Sequence, residues 1–267
     1  MLHESGRGSY VKGIKRFRGR SRTAVHASGT ENSSGKIIGK VKQIAEVKEM
    51  IPKLQYALDT KTIEETLTCL SGGIGEQADV IEIGTSAIFS EGNKVIKCVK
   101  ALYPDKEIVA DVKMLMPTAR GSVPPLLDAG ADAVIAIGST DETMIATAVD
   151  EICVKRNKKM YTYIHVENQE PVQDQVLDKW KRAGITNVIY HSVNPGFMWN
   201  ENDTNMVERL CGYGFLVTVT GKLQLERIKD FKGLPIYSFI VGTAIRNAEN
   251  PLNAVKEFKE MIRNVFS

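Results

Sequence analysis

Ile108-Val109-Ala110-Asp111-Val112-Lys113 is a short apolar run that stops on two charged side chains. Seven other short, largely apolar runs lie along the chain: Leu54–Leu58, Val80–Ile83, Ala133–Ile137, Met160–His165, Asn187–Tyr190, Phe215–Val219 and Tyr237–Val241. Successive starts are 26, 28, 25, 27, 27, 28 and 22 residues apart, which leaves room for one helix after each strand. Strands that alternate with helices build a parallel α/β sheet. Eight units in residues 54–267 fit a closed (β/α)8 TIM barrel, a fold that starts near ~200 residues. An open doubly wound sheet is also repetitive, but eight near-equal units favour closure.

Helix punctuation agrees. Asn250 before Pro251 reads as an N-cap and a first-turn proline, and Leu252, Val255, Phe258 and Ile262 keep one face apolar. Ala129-Gly130-Ala131 and Ala183-Gly184-Ile185 each put a glycine where a helix would end.

Upstream of the barrel the chain changes character. Residues 1–50 hold 11 Lys/Arg against 4 Asp/Glu, whereas residues 51–267 hold 24 against 28. Residues 1–35 form a basic, Gly/Ser/Arg-rich extension that cannot bury a core. Residues 36–53 carry Ile38, Val41, Ile44, Val47 and Ile51 at helical spacing, so a leading helix is expected there before the barrel domain at 54–267. The extension reads as a solvated tail, as an anionic-surface tether or as a transit sequence. With only Tyr10 and Phe17 among its charges, it lacks a base-stacking platform, so nucleic acid is not the expected partner.

Composition removes further classes. The 267 residues, 43% apolar and 25% charged, are not a disordered chain. No stretch approaches the roughly 20 apolar residues of a membrane span. Cys69, Cys98, Cys153 and Cys211 form no C-x-x-C pair, so a reducing, cytoplasmic setting is expected. His3, His26, His165 and His191 show no zinc spacing, and any metal would need oxygen ligands.

In a barrel, chemistry sits at the C-terminal strand ends. Asp59 follows strand one, Glu82 lies in strand two, Asp111 and Lys113 end strand three, and His191 ends strand six. A strand period of two puts Asp111 and Lys113 on the same, inward side. Buried carboxylates and an ammonium are tolerated only when they pair or bind a cation. Two or three carboxylates with retained waters suit magnesium. Solvated ion pairs on the rim are the plainer reading, and they explain four ionisable groups on three adjacent strands less well. Across the mouth, Thr220-Gly221-Lys222 follows strand seven and Gly242-Thr243 follows strand eight, where barrels commonly bind phosphate through backbone N–H groups. Trp180, Trp199, Tyr190 and Phe197 read as packing groups.

The stretches Leu54-Gln55-Tyr56-Ala57-Leu58-Asp59, Ile81-Glu82-Ile83-Gly84-Thr85, Ala110-Asp111-Val112-Lys113, Val188-Ile189-Tyr190-His191, Val217-Thr218-Val219-Thr220-Gly221 and Phe239-Ile240-Val241-Gly242 resemble, in order and spacing, the orotidine-monophosphate-decarboxylase suprafamily. The resemblance covers residues 54–266. It points to the branch of 3-keto-L-gulonate-6-phosphate decarboxylase and 3-hexulose-6-phosphate synthase. It implies a (β/α)8 homodimer and a magnesium-dependent carbon–carbon lyase acting on a phosphorylated keto sugar through an enediolate. By the same resemblance, Glu82 and Asp111 would support Mg2+, Lys113 would stabilise the enediolate, Asp59 would contact substrate and His191 would help deliver a proton.

The sequence departs from that pattern at several points. Met116 replaces the second aspartate of D-x-K-x-x-D, Thr243 stands where a phosphate-clamping arginine is usual, and Asn194 replaces an arginine of the decarboxylase. Lys222 occupies a glycine position and needs a permissive backbone angle. The strand-five carboxylate falls on Tyr163 or on Glu167, depending on how the strand is aligned. Decarboxylase, aldolase and a catalytically silent sugar-phosphate binder therefore all stay open.

Overall fold

Eight parallel strands close on themselves in chain order, β1 against β2 and so on round to β8 against β1. They are β1 Lys53–Leu58, β2 Val80–Ile83, β3 Glu107–Met114, β4 Ala133–Ile137, β5 Lys159–Ile164, β6 Asn187–His191, β7 Leu216–Thr220 and β8 Ile236–Val241. The structure, a computed structural model, describes residues 50–114, 119–138, 141–164, 172–192 and 199–267. The basic extension at 1–35, and with it most of the leading helix, lies outside the described residues. The end of that helix needs correction: Met50–Pro52 is not helical, and Lys53 already belongs to β1. Pro52 supplies the reason, since it lacks an N–H and biases Ile51 towards extended backbone.

Every expected strand is present, shifted at its ends by two residues at most. Alternation sorts their side chains. Leu54, Tyr56 and Leu58 of β1 face the helix layer, while Ala57 joins Val80, Val109, Ile135, Tyr161, Ile189 and Ile240 inside the barrel. The helix at Pro251–Phe266 is capped by Asn250, whose side chain accepts from Asn253 N at 3.0 Å, and it buries Val255, Phe258 and Ile262. The helix at Asp174–Ala183 ends on Gly184 at φ +94°, a left-handed angle that suits glycine. No described helix is long and apolar enough to cross a membrane.

At the N-terminal end of the barrel a polar plug replaces apolar filling. The Glu107 carboxylate accepts from Lys53 Nζ (2.7 Å), Lys159 Nζ (3.1 Å) and Tyr161 Oη (2.5 Å). Tyr237 Oη accepts from both lysines, at 3.0 and 2.9 Å. Tyr237 gets there through a bulge. Val217 pairs with Ile236 but Thr218 pairs with Ser238, so Tyr237 is one residue too many on β8. Consecutive residues Tyr237 and Ser238 can then both point inward.

Candidate active site

The rim at the C-terminal strand ends gathers charge on β1–β3. Glu82 (5% exposed) and Asp111 (2% exposed) are both buried, one from β2 and one from β3. Gln55 Nε2 of β1 donates to Glu82 Oε2 at 2.5 Å. Burial, and next the neighbouring Asp111 carboxylate, push the Glu82 carboxyl up to about 8, with Lys113 opposing and Asp59 adding to the rise. Burial raises Asp111 as well, against the pull of Lys113. Asp111 Oδ1 is buried with no hydrogen-bond partner among the described residues. Two buried carboxylates side by side, one with an orphaned oxygen, leave a place for positive charge beyond that of Lys113.

Lys113 reaches this pair by a route that simple alternation does not give. Asp111 pairs with Ile135 and Met114 with Ala136, so Val112 and Lys113 are bulged out of the β3–β4 ladder. Lys113 sits at φ +41°, in the left-handed region. The ladder is thus irregular at Lys113, yet its ammonium comes to the same side as Asp111, as expected, and forms an ion pair with Asp111 Oδ2. Its side chain stays partly open to solvent, suited to meeting a ligand.

Asp59 lies exposed just past β1. Gly84 makes that position possible, since a Cβ there would stand 2.6 Å from Leu58 O and 3.1 Å from Asp59 Oδ1. Thr85 Oγ1 donates to Asp111 O at 2.7 Å and ties the end of β2 to β3. The charges of Asp59 and Lys113 both act on Glu82 and on Asp111. Among the described residues, however, no group of three or more His, Cys, Asp or Glu is placed to hold a metal. The usable set is a carboxylate pair, with Asp59 at its margin.

On the other side, His191 and Thr220 are register partners at the ends of β6 and β7. Gly221 follows at φ +113°, and a Cβ there would meet Ser192 O at 2.8 Å and Ser192 N at 2.9 Å. Trp199 Nε1 donates to Gly221 O at 2.8 Å and fixes the turn. Lys222 adopts the left-handed angle its position requires, φ +44°. Gly242 passes close to Ala57 O, and Thr243 opens a four-residue helix, Thr243–Arg246. Arg246 turns away, its charge beside Tyr56 and Cys69 in the helix layer. Trp180, Trp199 and Tyr190 are buried packing groups. Glu167, Met116, Asn194 and Phe197 lie outside the described residues, as does the side chain of Tyr163.

Sequence reasoning passed over Gln55, Ser238 and Thr218. Each is a polar residue inside an apolar run, on the inward parity of its strand, and that was the available signal. A cavity of about 350 Å³ lined by Met50, Pro52, Lys53, Asp79 and Lys259 includes none of the strand-end groups.

Residues 52–258 match the orotidine 5'-phosphate decarboxylase / HUMPS family. The chain belongs to that family. It is 34% identical over 222 residues to a 3-keto-L-gulonate-6-phosphate decarboxylase of Salmonella paratyphi B, covering 81% of this chain and 99% of the relative. Among solved structures it resembles the KGPDC of Streptococcus mutans, with a TM-score of 0.71 and 31% identity over 82% of this chain and 100% of that one. It also resembles the 3-hexulose-6-phosphate synthase of Salmonella typhimurium, with a TM-score of 0.69 and 25% identity over 79% and 99%.

Proposed function

We propose that this protein is a carbon–carbon lyase that decarboxylates a phosphorylated keto-sugar acid, in the manner of its 3-keto-L-gulonate-6-phosphate decarboxylase relatives. The observation that carries the reading is the meeting of Lys113 with the buried Glu82 and Asp111 at one rim of the barrel.

Each group has work that its chemistry suits. Lys113 offers an ammonium beside the oxygen that gains charge as the enediolate forms, where low water content makes the attraction count. Asp111 holds that ammonium in place through its ion pair. Asp59, exposed at the rim, hydrogen-bonds the substrate. His191 returns a proton to the enediolate carbon, directly or through one water. Thr220, Gly221, Lys222, Gly242 and Thr243 cradle the phosphate, with Gly221 and Gly242 letting backbone approach it and Lys222 adding charge.

The donor set fits a divalent cation. Glu82 and Asp111 would hold magnesium, with the orphaned Asp111 Oδ1 as the natural oxygen. Magnesium commonly takes one or two carboxylates and keeps waters, so a pair suffices. When bound, the ion supplies positive charge that opposes the negative charge developing on the substrate.

The likeness to 3-hexulose-6-phosphate synthase keeps an aldolase in view, since aldol cleavage passes through the same kind of intermediate. We further propose a homodimer, to which Phe89, 80% exposed on the helix Thr85–Glu91 that follows β2, contributes apolar surface. A reducing compartment suits the four cysteines, none of which is in a disulfide. The test is carbon dioxide release from 3-keto-L-gulonate 6-phosphate by the purified full chain with Mg2+, run beside a formaldehyde-dependent aldol assay. Release of carbon dioxide supports the proposal, aldol activity alone moves it to the sister reaction, and silence in both refutes it.

A further inference from the structure

Beneath the rim a line of polar side chains crosses the barrel interior from the carboxylate side to the strands that carry the glycine turns. It starts at Glu82, whose Oε2 accepts from Gln55 Nε2 at 2.5 Å. Gln55 is fully buried. Its Oε1 accepts from Ser238 Oγ at 3.5 Å, and Ser238 Oγ lies 2.8 Å from Thr218 Oγ1. Ser238 is fully buried and Thr218 nearly so, so side chains link β2, β1, β8 and β7 in addition to their backbone ladders.

The chemistry of the groups gives this line a direction. A carboxylate that serves a cation is ionised and only accepts, so in that state the amide turns its NH2 towards Glu82 and its carbonyl towards Ser238. Ser238 must then donate to Gln55, and its oxygen is left to accept from Thr218. No member can reverse without breaking a buried hydrogen bond, which is costly. Core packing alone would be met by an aliphatic side chain at position 55, with the neighbouring Ala57 and Ile240 as company.

We infer that Gln55 is a positioning residue that holds the Glu82 carboxylate in the orientation in which it serves a divalent cation, with Ser238 holding Gln55 in turn. The inference rests on the proposed role of Glu82. Ligating carboxylates are commonly oriented by such outer hydrogen bonds, and their loss weakens metal binding about 10- to 100-fold. A purely structural glutamine would affect unfolding and leave cation affinity alone.

The experiment titrates the full-length protein with Mn2+, an oxygen-seeking stand-in for magnesium, and reads free Mn2+ by electron paramagnetic resonance at fixed pH. Gln55→Met keeps length and volume but removes both hydrogen bonds. It is expected to raise the Mn2+ Kd by roughly tenfold or more, and Ser238→Ala to raise it by a smaller factor. Thermal melts without metal show whether each variant folds. Should Gln55→Met fail to fold, Ser238→Ala decides: a raised Kd supports the inference and an unchanged one overturns it. Equal Mn2+ affinity in folded Gln55→Met and the wild type overturns the inference and leaves the lyase proposal standing. No Mn2+ binding by the wild type overturns the cation role of Glu82 and this inference with it.

Discussion

Lys113 and Asp111, two residues apart on β3, form an ion pair at a bulge between Asp111 and Met114, where Lys113 adopts a left-handed conformation. Backbone strain at a non-glycine residue is tolerated where surrounding contacts over-determine it, and such residues cluster at functional sites.

The buried carboxylates impose a cost on the cation-free protein. Asp111→Asn removes a buried charge whose Oδ1 has no partner, while an amide of the same shape keeps the packing. Cation-free Asp111→Asn is expected to melt at or above the wild-type temperature, by up to about 1–2 kcal/mol or a few degrees. It should also lose magnesium-induced stabilisation. Scanning calorimetry with and without Mg2+ reads both effects, and a strongly lowered melting point in Asp111→Asn would speak for a structural carboxylate.

Gly221 combines a left-handed angle with backbone of Ser192 under 3 Å from any added Cβ. Since the obstructing atoms are main chain, they cannot swing aside as a flexible side chain would. Gly221→Ala is expected to lose about 1–3 kcal/mol of stability and to raise KM for the sugar phosphate by roughly tenfold or more, a free-energy loss of about 1.4 kcal/mol. Urea midpoints and steady-state kinetics check the two halves separately. An unchanged KM would remove this turn from the phosphate cradle.

Acid stability should depend on the plug at the far end of the barrel. Although burial pushes the Glu107 carboxyl up, hydrogen bonds from Lys53 and Tyr161 outweigh it and hold Glu107 below its ordinary 4.5. A carboxyl with a depressed folded-state value binds protons more readily when the chain unfolds. Its contribution is therefore complete above the ordinary value and is lost as pH falls through the lower, folded one. Glu107→Gln is expected to destabilise the protein at neutral pH by about 1–3 kcal/mol, discounted because both lysines are partly exposed. It should also flatten the acid limb of a plot of urea midpoint against pH. Parallel acid limbs in variant and wild type would exclude Glu107 as the source.

The barrel was legible because its signals are local. Each strand is a short apolar run, each helix has its own caps, and near-equal spacing counts the units without any knowledge of contacts. The strand-end residues Asp59, Glu82, Asp111 and His191 were legible for the same reason, since polar groups terminate runs that are otherwise apolar. What escaped depends on partners distant in sequence. Nothing near Tyr237 announces the bulge that turns it inward, because that bulge is a register shift against β7. Gln55 finds Glu82 and Ser238 only after the barrel closes. Lys53, Glu107 and Lys159 each begin a strand, yet their convergence needs the shared axis of β1, β3 and β5.

The most direct measurement is kcat/KM for 3-keto-L-gulonate 6-phosphate with Mg2+, in the wild type and in Lys113→Ala. The side chain of Lys113 is 42% exposed, so its truncation should leave the fold intact by circular dichroism. Wild-type turnover that falls by about 10³-fold or more in the variant, equivalent to roughly 4 kcal/mol of transition-state stabilisation, is the expected result. Turnover that survives Lys113→Ala within a few fold would contradict the placing of the reaction at this rim.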